Sequence, residues 1–358
     1  MSDRHVSLAR LGWSEWFEEQ LKLQASHYGT VARVAAVDRD QLLLMNEAGT
    51  FRAKLSGRYM YRHHRSQELP CVGDWVCVER NLGHEIGFIQ ALLGRRTMLR
   101  RKAAGDAIDY QMIAANVDYV IIVQSCHFDF NLKRLERYLV MVIDGGAEPY
   151  ILLTKTDLIQ QDILASQLAE IRGAGFTAPV LTLSNVTREG VDGLKRMLVP
   201  GKTYCFVGSS GVGKSTVINE LIGRVILETK DISATGEGKH TTTRRELFVL
   251  QNGALVIDNP GMREFGIFGA ESGIERGFSD LIEIAAQCRY RDCRHTTEPG
   301  CVVLSALDSG EMDQEHYDNY IKLRDESDYY EMSYVEKRKK DRDFGRYIKS
   351  AKKGMRRD

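Results

Sequence analysis

The stretch GSSGVGKST, residues 208–216, fits the spacing G-x-x-x-x-G-K-[ST] through Gly208, Gly213, Lys214 and Ser215. A loop of this type is made to hold phosphate. Its glycines let successive backbone N–H groups turn toward phosphate oxygens, and the helix that follows adds partial positive charge at its N-terminus. Lys214 is spaced to reach the β and γ phosphates and the Ser215 hydroxyl to ligate Mg²⁺. Ser209, Ser210, Gly211, Val212 and Thr216 belong to the same cradle. The flanks agree, since KTYCFV reads as a strand before the loop and VINELIG as a helix after it.

A second stretch, LLTKTDL at 152–158, carries Thr154, Lys155, Thr156 and Asp157 directly after the apolar run YILL. The Asp157 carboxylate can accept from two donors on the edge of guanine, an arrangement adenine lacks, while the stem of Lys155 lies along the base. A strand-to-helix turn with an N-cap aspartate explains the same residues. The strand-end position favours binding, because ligands of open α/β sheets sit at the carboxyl ends of strands. At the end of PVLTL, the segment SNVT (184–187) offers another base contact at Ser184 and Asn185, from backbone or side chain.

DNPG (258–261) follows the buried strand candidate ALVI. Asp258 would hold Mg²⁺ through water, and the Gly261 N–H would sense a γ-phosphate. Between the phosphate loop and DNPG lies ATGEGKHTTTRR (234–245), with the composition of a switch that a γ-phosphate and Mg²⁺ can order. One of Thr241, Thr242 and Thr243 is the Mg²⁺ contact. Met262 stands where many GTPases carry a glutamine that positions the attacking water, and an apolar side chain cannot do this. Hydrolysis then waits for a partner's group or uses another residue. His240 has suitable chemistry, although a lone loop histidine also fits an exposed residue with no role.

The last cluster is CRYRDCRHTTEPGC, which spaces Cys288, Cys293, His295 and Cys301 as C-x₄-C-x-H-x₅-C. Three thiolates and one imidazole match a closed, tetrahedral, structural zinc site. Arg289, Arg291 and Arg294 are interleaved with the ligands, where they could meet a phosphate backbone.

The elements that must position these groups are legible as a change of rhythm. Residues 1–27 read as a helical extension, with Leu8, Leu11, Trp13, Trp16 and Phe17 at mixed helical spacing. From 28 to about 105, HYGTVARVAAV, QLLLMNEAGTFRAKL, DWVCVER and EIGFIQALL are short strands between turn signals, which points to a small closed β-barrel, a class whose commonest member with nucleic-acid work is the OB-fold. It is rimmed by GRYMYRHHR (57–65) and GRRTMLRRK (94–102), where aromatics and bases mix as nucleic-acid contact requires. An ordinary charged barrel surface explains the same composition. Across 110–272 strands alternate with helical patterns, which implies a parallel sheet with crossover helices. A smaller Cys- and helix-rich region covers 273–335, and a basic tail 336–358 ends the sequence.

The 358 residues are 43% apolar and 27% charged, an ordinary globular balance. No run is long and apolar enough to span a bilayer, and the first twenty residues lack a secretory core. Seven unevenly spread cysteines do not suggest a disulfide framework, so the expected place is the reducing cytoplasm. Net charge is zero but segregated: 308–331 holds nine acidic against two basic residues, and 336–358 eleven basic against four acidic.

The elements run in the order TKTD, SNV, phosphate loop, HTTT, DNPG. An ordinary GTPase places the phosphate loop first. A circular permutation reconciles a complete set with an inverted order, because neighbouring termini can be joined and the chain opened elsewhere without disturbing the sheet.

With the VGDWV of the barrel (72–76), the GKHTTT switch, DNPG followed by REFG (263–266) and the Cys/His spacing, nearly the whole chain resembles the small ribosomal subunit biogenesis GTPases called RsgA or YjeQ. The resemblance implies a multidomain α/β protein: an N-terminal OB-fold β-barrel, a central circularly permuted P-loop GTPase domain and a C-terminal helical zinc-binding domain. It implies GTP hydrolysis with Mg²⁺, one structural Zn²⁺ and action on the 30S ribosomal subunit and its 16S rRNA as a late assembly checkpoint. A monomer away from membranes is expected. The family's catalytic histidine falls on His240, and its zinc ligands fall on Cys288, Cys293, His295 and Cys301. Gly211 stands where potassium-activated GTPases carry asparagine, which argues against potassium dependence. Two other classes compete: a nucleotide-gated RNA-binding assembly chaperone with incidental hydrolysis, and an ATPase if TKTD is accidental.

Overall fold

The computed structural model describes residues 7–23, 29–80, 86–102, 110–174, 176–224, 244–259 and 270–331. His240, Thr241, Thr242, Thr243, Gly261, Met262, the REFG run and the tail 336–358 lie outside the described residues.

The N-terminal extension is not one helix. A 3₁₀ turn at Leu8–Leu11 ends at Gly12, whose φ of 87° breaks the run, and α1 (Glu15–Leu23) follows. Nor is it an appendage. Leu11 and Phe17 are buried in the main core, and Trp13 and Phe17 pack on Trp75 with ring centroids 4.7 and 5.8 Å away.

Five strands form the barrel: β1 (Thr30–Val37), β2 (Leu42–Asn46), β3 (Gly49–Leu55), β4 (Trp75–Glu79) and β5 (Ile86–Leu92), with the short helix α2 (Gly57–Arg62) between β3 and β4. Neighbours run β1-β2-β3-β5-β4, and β4 returns to β1 to close the ring; only the β3–β5 pair is parallel. Inward residues such as Val34, Leu44, Ala53, Val76 and Ile89 fill it. Each strand therefore alternates side chains between this interior and the outside.

The strand β6 (Met98–Lys102) leaves the barrel and pairs with β7 (Tyr110–Ala115) in a separate two-stranded sheet. This alters the reading of the basic rim at 94–102. Arg95 grips buried Asp74 at 2.7–2.8 Å, Arg96 pairs with Asp118, and Arg100 with Asp144 at 3.2 Å. Arg96 and Arg100 thus join this segment to the central layer, while Arg95, which also donates to the Gln67 and Leu69 carbonyls, locks the barrel itself. On the other rim, Tyr59 is buried and donates to the Glu68 carbonyl at 2.6 Å, whereas Tyr61 is exposed.

Arg33 is the deepest of these joints. Its guanidinium donates to the carbonyls of Leu11, Gly73 (3.2 Å) and Asn116 (2.9 Å), so one side chain ties the extension, the barrel and the start of the central sheet. Burial pulls its pKa down to about 10, still charged at neutral pH.

The central sheet comprises β8 (Tyr119–Ser125), β9 (Glu148–Thr154), β10 (Val180–Leu183), β11 (Thr203–Val207), β12 (Glu246–Val249) and β13 (Leu255–Asp258), in the order β10-β9-β8-β11-β13-β12. The first five are mutually parallel. Their runs YVIIV, YILL and TYCFV are nearly continuous in apolar residues because helices cover both faces. β12 departs from the all-parallel expectation: a tight turn joins it to β13 as an antiparallel pair, and it touches β1 at Ala36 opposite Glu246.

α3 (Leu132–Asp144) and α4 (Gln161–Gly173) contribute to the core on one face, and α5 (Val191–Met197) and α6 (Lys214–Ile222) to that on the other. The Asn131 side chain caps α3 by accepting from Arg134 N at 2.8 Å. Four helices follow: α7 (Glu271–Gly277), α8 (Ser279–Ala285), α9 (Val302–Asp308) and α10 (Gln314–Glu331). α7 lies close on α3, since a Cβ on Gly273 would meet the Val140 carbonyl oxygen at 2.2 Å.

Candidate functional site

Strands β10, β9, β8, β11 and β13 end side by side, and Ser184 and Asn185, TKTD, the phosphate loop and Asp258 lie at the ends of β10, β9, β11 and β13. The loop 208–213 leaves β11 and enters α6 at Lys214. Gly208, Gly211 and Gly213 have φ of 141°, 79° and 97°, conformations that L side chains rarely adopt. Gly208 also lies under β8, where a Cβ would meet the Val123 carbonyl oxygen at 2.2 Å. Lys214 is buried and folds back on its own loop, donating to the Gly208 carbonyl at 2.7 Å and to that of Ser209. Burial lowers its pKa to about 8 against the opposing pull of Asp258 and Asp129. Ser215 is half-buried and Thr216 exposed at the start of α6.

TKTD meets this loop directly. The buried Thr154 hydroxyl lies 2.6 Å from the Val212 carbonyl, so it braces the phosphate loop. Lys155 takes a left-handed conformation (φ 60°), and burial lowers its pKa. Asp157 is exposed. Ser184 is fully buried and donates to Asp157 Oδ1 at 2.6 Å while accepting from the backbone N–H groups of Val186 and Thr187. Its hydroxyl therefore orients Asp157, which leaves Asn185 as the open member of the pair; the Asn185 amide would lie 3.3 Å from a Cβ on Gly213.

Asp258 ends β13 with 1% exposure, and neither carboxylate oxygen has a hydrogen-bond partner. Burial pushes its pKa up to about 6, with Lys214 pulling it back. An uncompensated buried carboxylate is costly. Two free oxygen donors facing a phosphate loop are the chemistry a hard divalent cation takes up.

The C-terminal cluster forms as spaced. The ligand atoms of Cys288, Cys293, His295 and Cys301 all lie within 4.8 Å of one another. His295 Nδ1 is 3.6 Å from Cys288 Sγ and 3.4 Å from Cys301 Sγ, and the two sulfurs are 3.9 Å apart. Zn–S bonds of about 2.3 Å in a tetrahedron put sulfurs about 3.8 Å apart. Cys301 also caps α9, accepting from Leu304 N at 3.5 Å. Burial and the charge of Arg324 lower the His295 pKa, which favours the neutral ligand form. Arg289 and Arg291 are exposed beside the cluster, but Arg294 is engaged by Asp328 at 2.7 Å and Asp325 at 3.5 Å on α10.

Asp129 was not singled out from sequence. It lies in the turn between β8 and α3, and its carboxylate accepts from the Ser209 side chain and pairs with Arg134 at 2.8 Å. The rule that drew attention to TKTD, polar residues just beyond an apolar strand, applies equally to HFDFN after VIIVQS.

A phosphate loop, a braced guanine-type carboxylate and an orphaned acid at a third strand end, in permuted chain order, define a circularly permuted P-loop GTPase. A family model for the RsgA GTPase matches residues 92–268. The small ribosomal subunit biogenesis GTPase RsgA of Opitutus terrae is 41% identical over 334 residues, 90% of either chain. A Vibrio vulnificus protein named Small ribosomal subunit biogenesis GTPase RsgA 2 is 35% identical over 358 residues, 99% of this chain and 98% of that one. The crystal structure of YjeQ from Thermotoga maritima superposes with a TM-score of 0.61 at 26% identity, covering 82% of this chain and 96% of that chain. The chain belongs to the RsgA GTPase family.

Proposed function

We propose that this protein hydrolyses GTP to GDP and phosphate and that it acts in the late assembly of the small (30S) ribosomal subunit, which stimulates the hydrolysis. The observation that carries the nucleotide reading is the pair of partnerless Asp258 oxygens beside the loop holding Lys214. The assembly role is named in the relatives at 35–41% identity. Asp157, held by Ser184, reads the guanine edge; the loop 208–216 binds the phosphates, with Lys214 exchanging its present carbonyl partners for phosphate oxygens. Ser215 and Asp258 would hold Mg²⁺, which when bound neutralises charge between the phosphates. One of Thr241, Thr242 and Thr243 completes the switch, Gly261 senses the γ-phosphate, and His240 takes the water-positioning role that Met262 cannot fill. The Cys₃His cluster holds one structural Zn²⁺. The barrel at 28–105, the region 273–335 and the tail 336–358 grip 16S rRNA around a nucleotide domain at 110–272, in a cytoplasmic monomer.

The test is GTP turnover with and without purified small subunits. A marked rise is expected, lost in His240→Ala with nucleotide binding retained. A flat response would favour a chaperone in which hydrolysis is incidental. Asp157→Asn should abolish preference for GTP over ATP, and equal binding of the two by the unaltered protein would sink the guanine assignment.

A further inference from the structure

Asp129 puts a carboxylate where the site is about to receive three or four negative charges. β8 lies between β9 and β11, so the turn that leaves it stands between TKTD and the phosphate loop. The turn is pinned: Gln124 on β8 donates to the Asn131 carbonyl at 3.1 Å and accepts from Asn131 N at 3.3 Å, and Asn131 caps α3. Asp129 is thereby held against the second residue of the loop, Ser209, with Arg134 on its other side. Its Oδ2 is buried and has no partner. Its charge acts on Lys214 and Lys155, the two cations of the phosphate and guanine elements.

A helix-capping acid would need only Arg134. Contact with Ser209 and influence over both lysines place this carboxylate inside the binding field. Without nucleotide it balances that positive field while Lys214 rests on the Gly208 and Ser209 carbonyls. With nucleotide present it repels the phosphates, in a partly buried place where screening by water is weak.

We propose that Asp129 is a built-in counter-charge that competes with the nucleotide's phosphates for the loop and so speeds release of GDP, giving the protein an exchange element of its own. This rests on the loop 208–216 being the GTP site. Asp129 is a positioning residue for the loop's charges and takes no part in bond breaking.

The test uses the full-length protein with Mg²⁺ and a fluorescent GDP chased by excess unlabelled GDP. Asp129→Asn keeps an acceptor for Ser209 and removes the charge, and release should slow roughly three- to tenfold. Asp129→Ser should act in the same direction, and Asp129→Glu should restore fast release. In equilibrium binding the gain should grow from GMP to GDP to a non-hydrolysable GTP analogue. Release at the original rate or faster in both charge-removing variants overturns the proposal, as does an equal gain for all three nucleotides, which would mark a geometric effect through Lys155. If the unaltered protein binds no guanine nucleotide, the reading of the loop fails and the role of Asp129 with it, whereas binding with release unchanged by charge removal overturns the role of Asp129 alone.

Discussion

Replacing His316 with glutamine should weaken the protein in slightly acidic solution and have little effect in alkaline solution. His316 on α10 is buried, with Nδ1 3.5 Å from Glu136 on α3 and Nε2 3.2 Å from Asp280 on α8; Phe278 covers its ring at 4.9 Å. Asn319, one turn further on, donates to the other Glu136 oxygen. Burial alone would lower the imidazole pKa, but the hydrogen bonds and charges of Asp280 and Glu136 outweigh it and raise it from 6.5 to about 9. A folded-state pKa above the unfolded one means stability that is fully present below pH 6.5 and lost as the pH rises through 9. Unscreened, that difference is about 3 kcal/mol. The Asp280 side chain is half open to water, so screening leaves about 1–2 kcal/mol. Urea unfolding followed at pH 6.0, 7.5 and 9.5 should show the deficit of His316→Gln shrinking toward zero across that window. A deficit independent of pH, or one that grows as the pH rises, would refute the argument that charge on His316 holds α10 to α3.

Three further outcomes follow from packing and donor chemistry. Gly273→Ala drives a Cβ into the Val140 carbonyl, which the backbone must yield to, at a cost of about 1–3 kcal/mol that a thermal melt would register. Asp258→Asn should stabilise the nucleotide-free protein by roughly 1–3 kcal/mol at pH 7.5, where the acid raised to about 6 is charged without a partner, yet weaken Mg²⁺-dependent GTP binding; a less stable variant without nucleotide would contradict this. Stripping the metal with a chelator should raise amide exchange across 288–331, because Cys301 both belongs to the cluster and starts α9, while β8, β9 and β11 stay protected.

What sequence made legible is what periodicity and strand ends encode. The runs VIIV, YILL, TYCFV and ALVI each became a buried parallel strand, and the groups just beyond them gathered at one edge of the sheet. The Cys/His spacing closed to the size of a metal tetrahedron for a similar reason: fourteen residues cannot place four ligands far apart. Features that depend on partners distant in the chain were not legible. Arg33 reaches Asn116, 83 residues on, and Glu136 reaches His316 after 180. In sequence, Arg95, Arg96 and Arg100 look like a ligand-seeking basic rim, because their acids Asp74, Asp118 and Asp144 fall in separate elements. Nothing in the sequence shows that the Ser184 hydroxyl binds Asp157, 27 residues away. β7 is not legible because YQMIAA, although of ordinary strand length, lacks the apolar–polar alternation that distinguishes a strand from a linker.

The permuted order acquires a physical meaning from α3. Permutation leaves β8, rather than the phosphate-loop strand, as the first strand of the parallel series, so the first crossover helix after it is α3. At its N-terminal end α3 carries Arg134, which holds Asp129 against Ser209 in the phosphate loop. One turn along, Glu136 takes His316 and Asn319, and Arg137 pairs with Glu326 at 2.7 Å, all on α10. Nearer its end, Val140 backs onto Gly273 in α7. The chain that leaves the nucleotide site at Asp258 thus returns through α7 onto the same helix that supports that site from behind. A domain with the ordinary order would have its C-terminal extension attached after the guanine-reading half. Here the extension is attached after DNPG, and α3 receives it. The Cys/His region is therefore anchored twice to the phosphate end of the site, by the chain and by the face of α3.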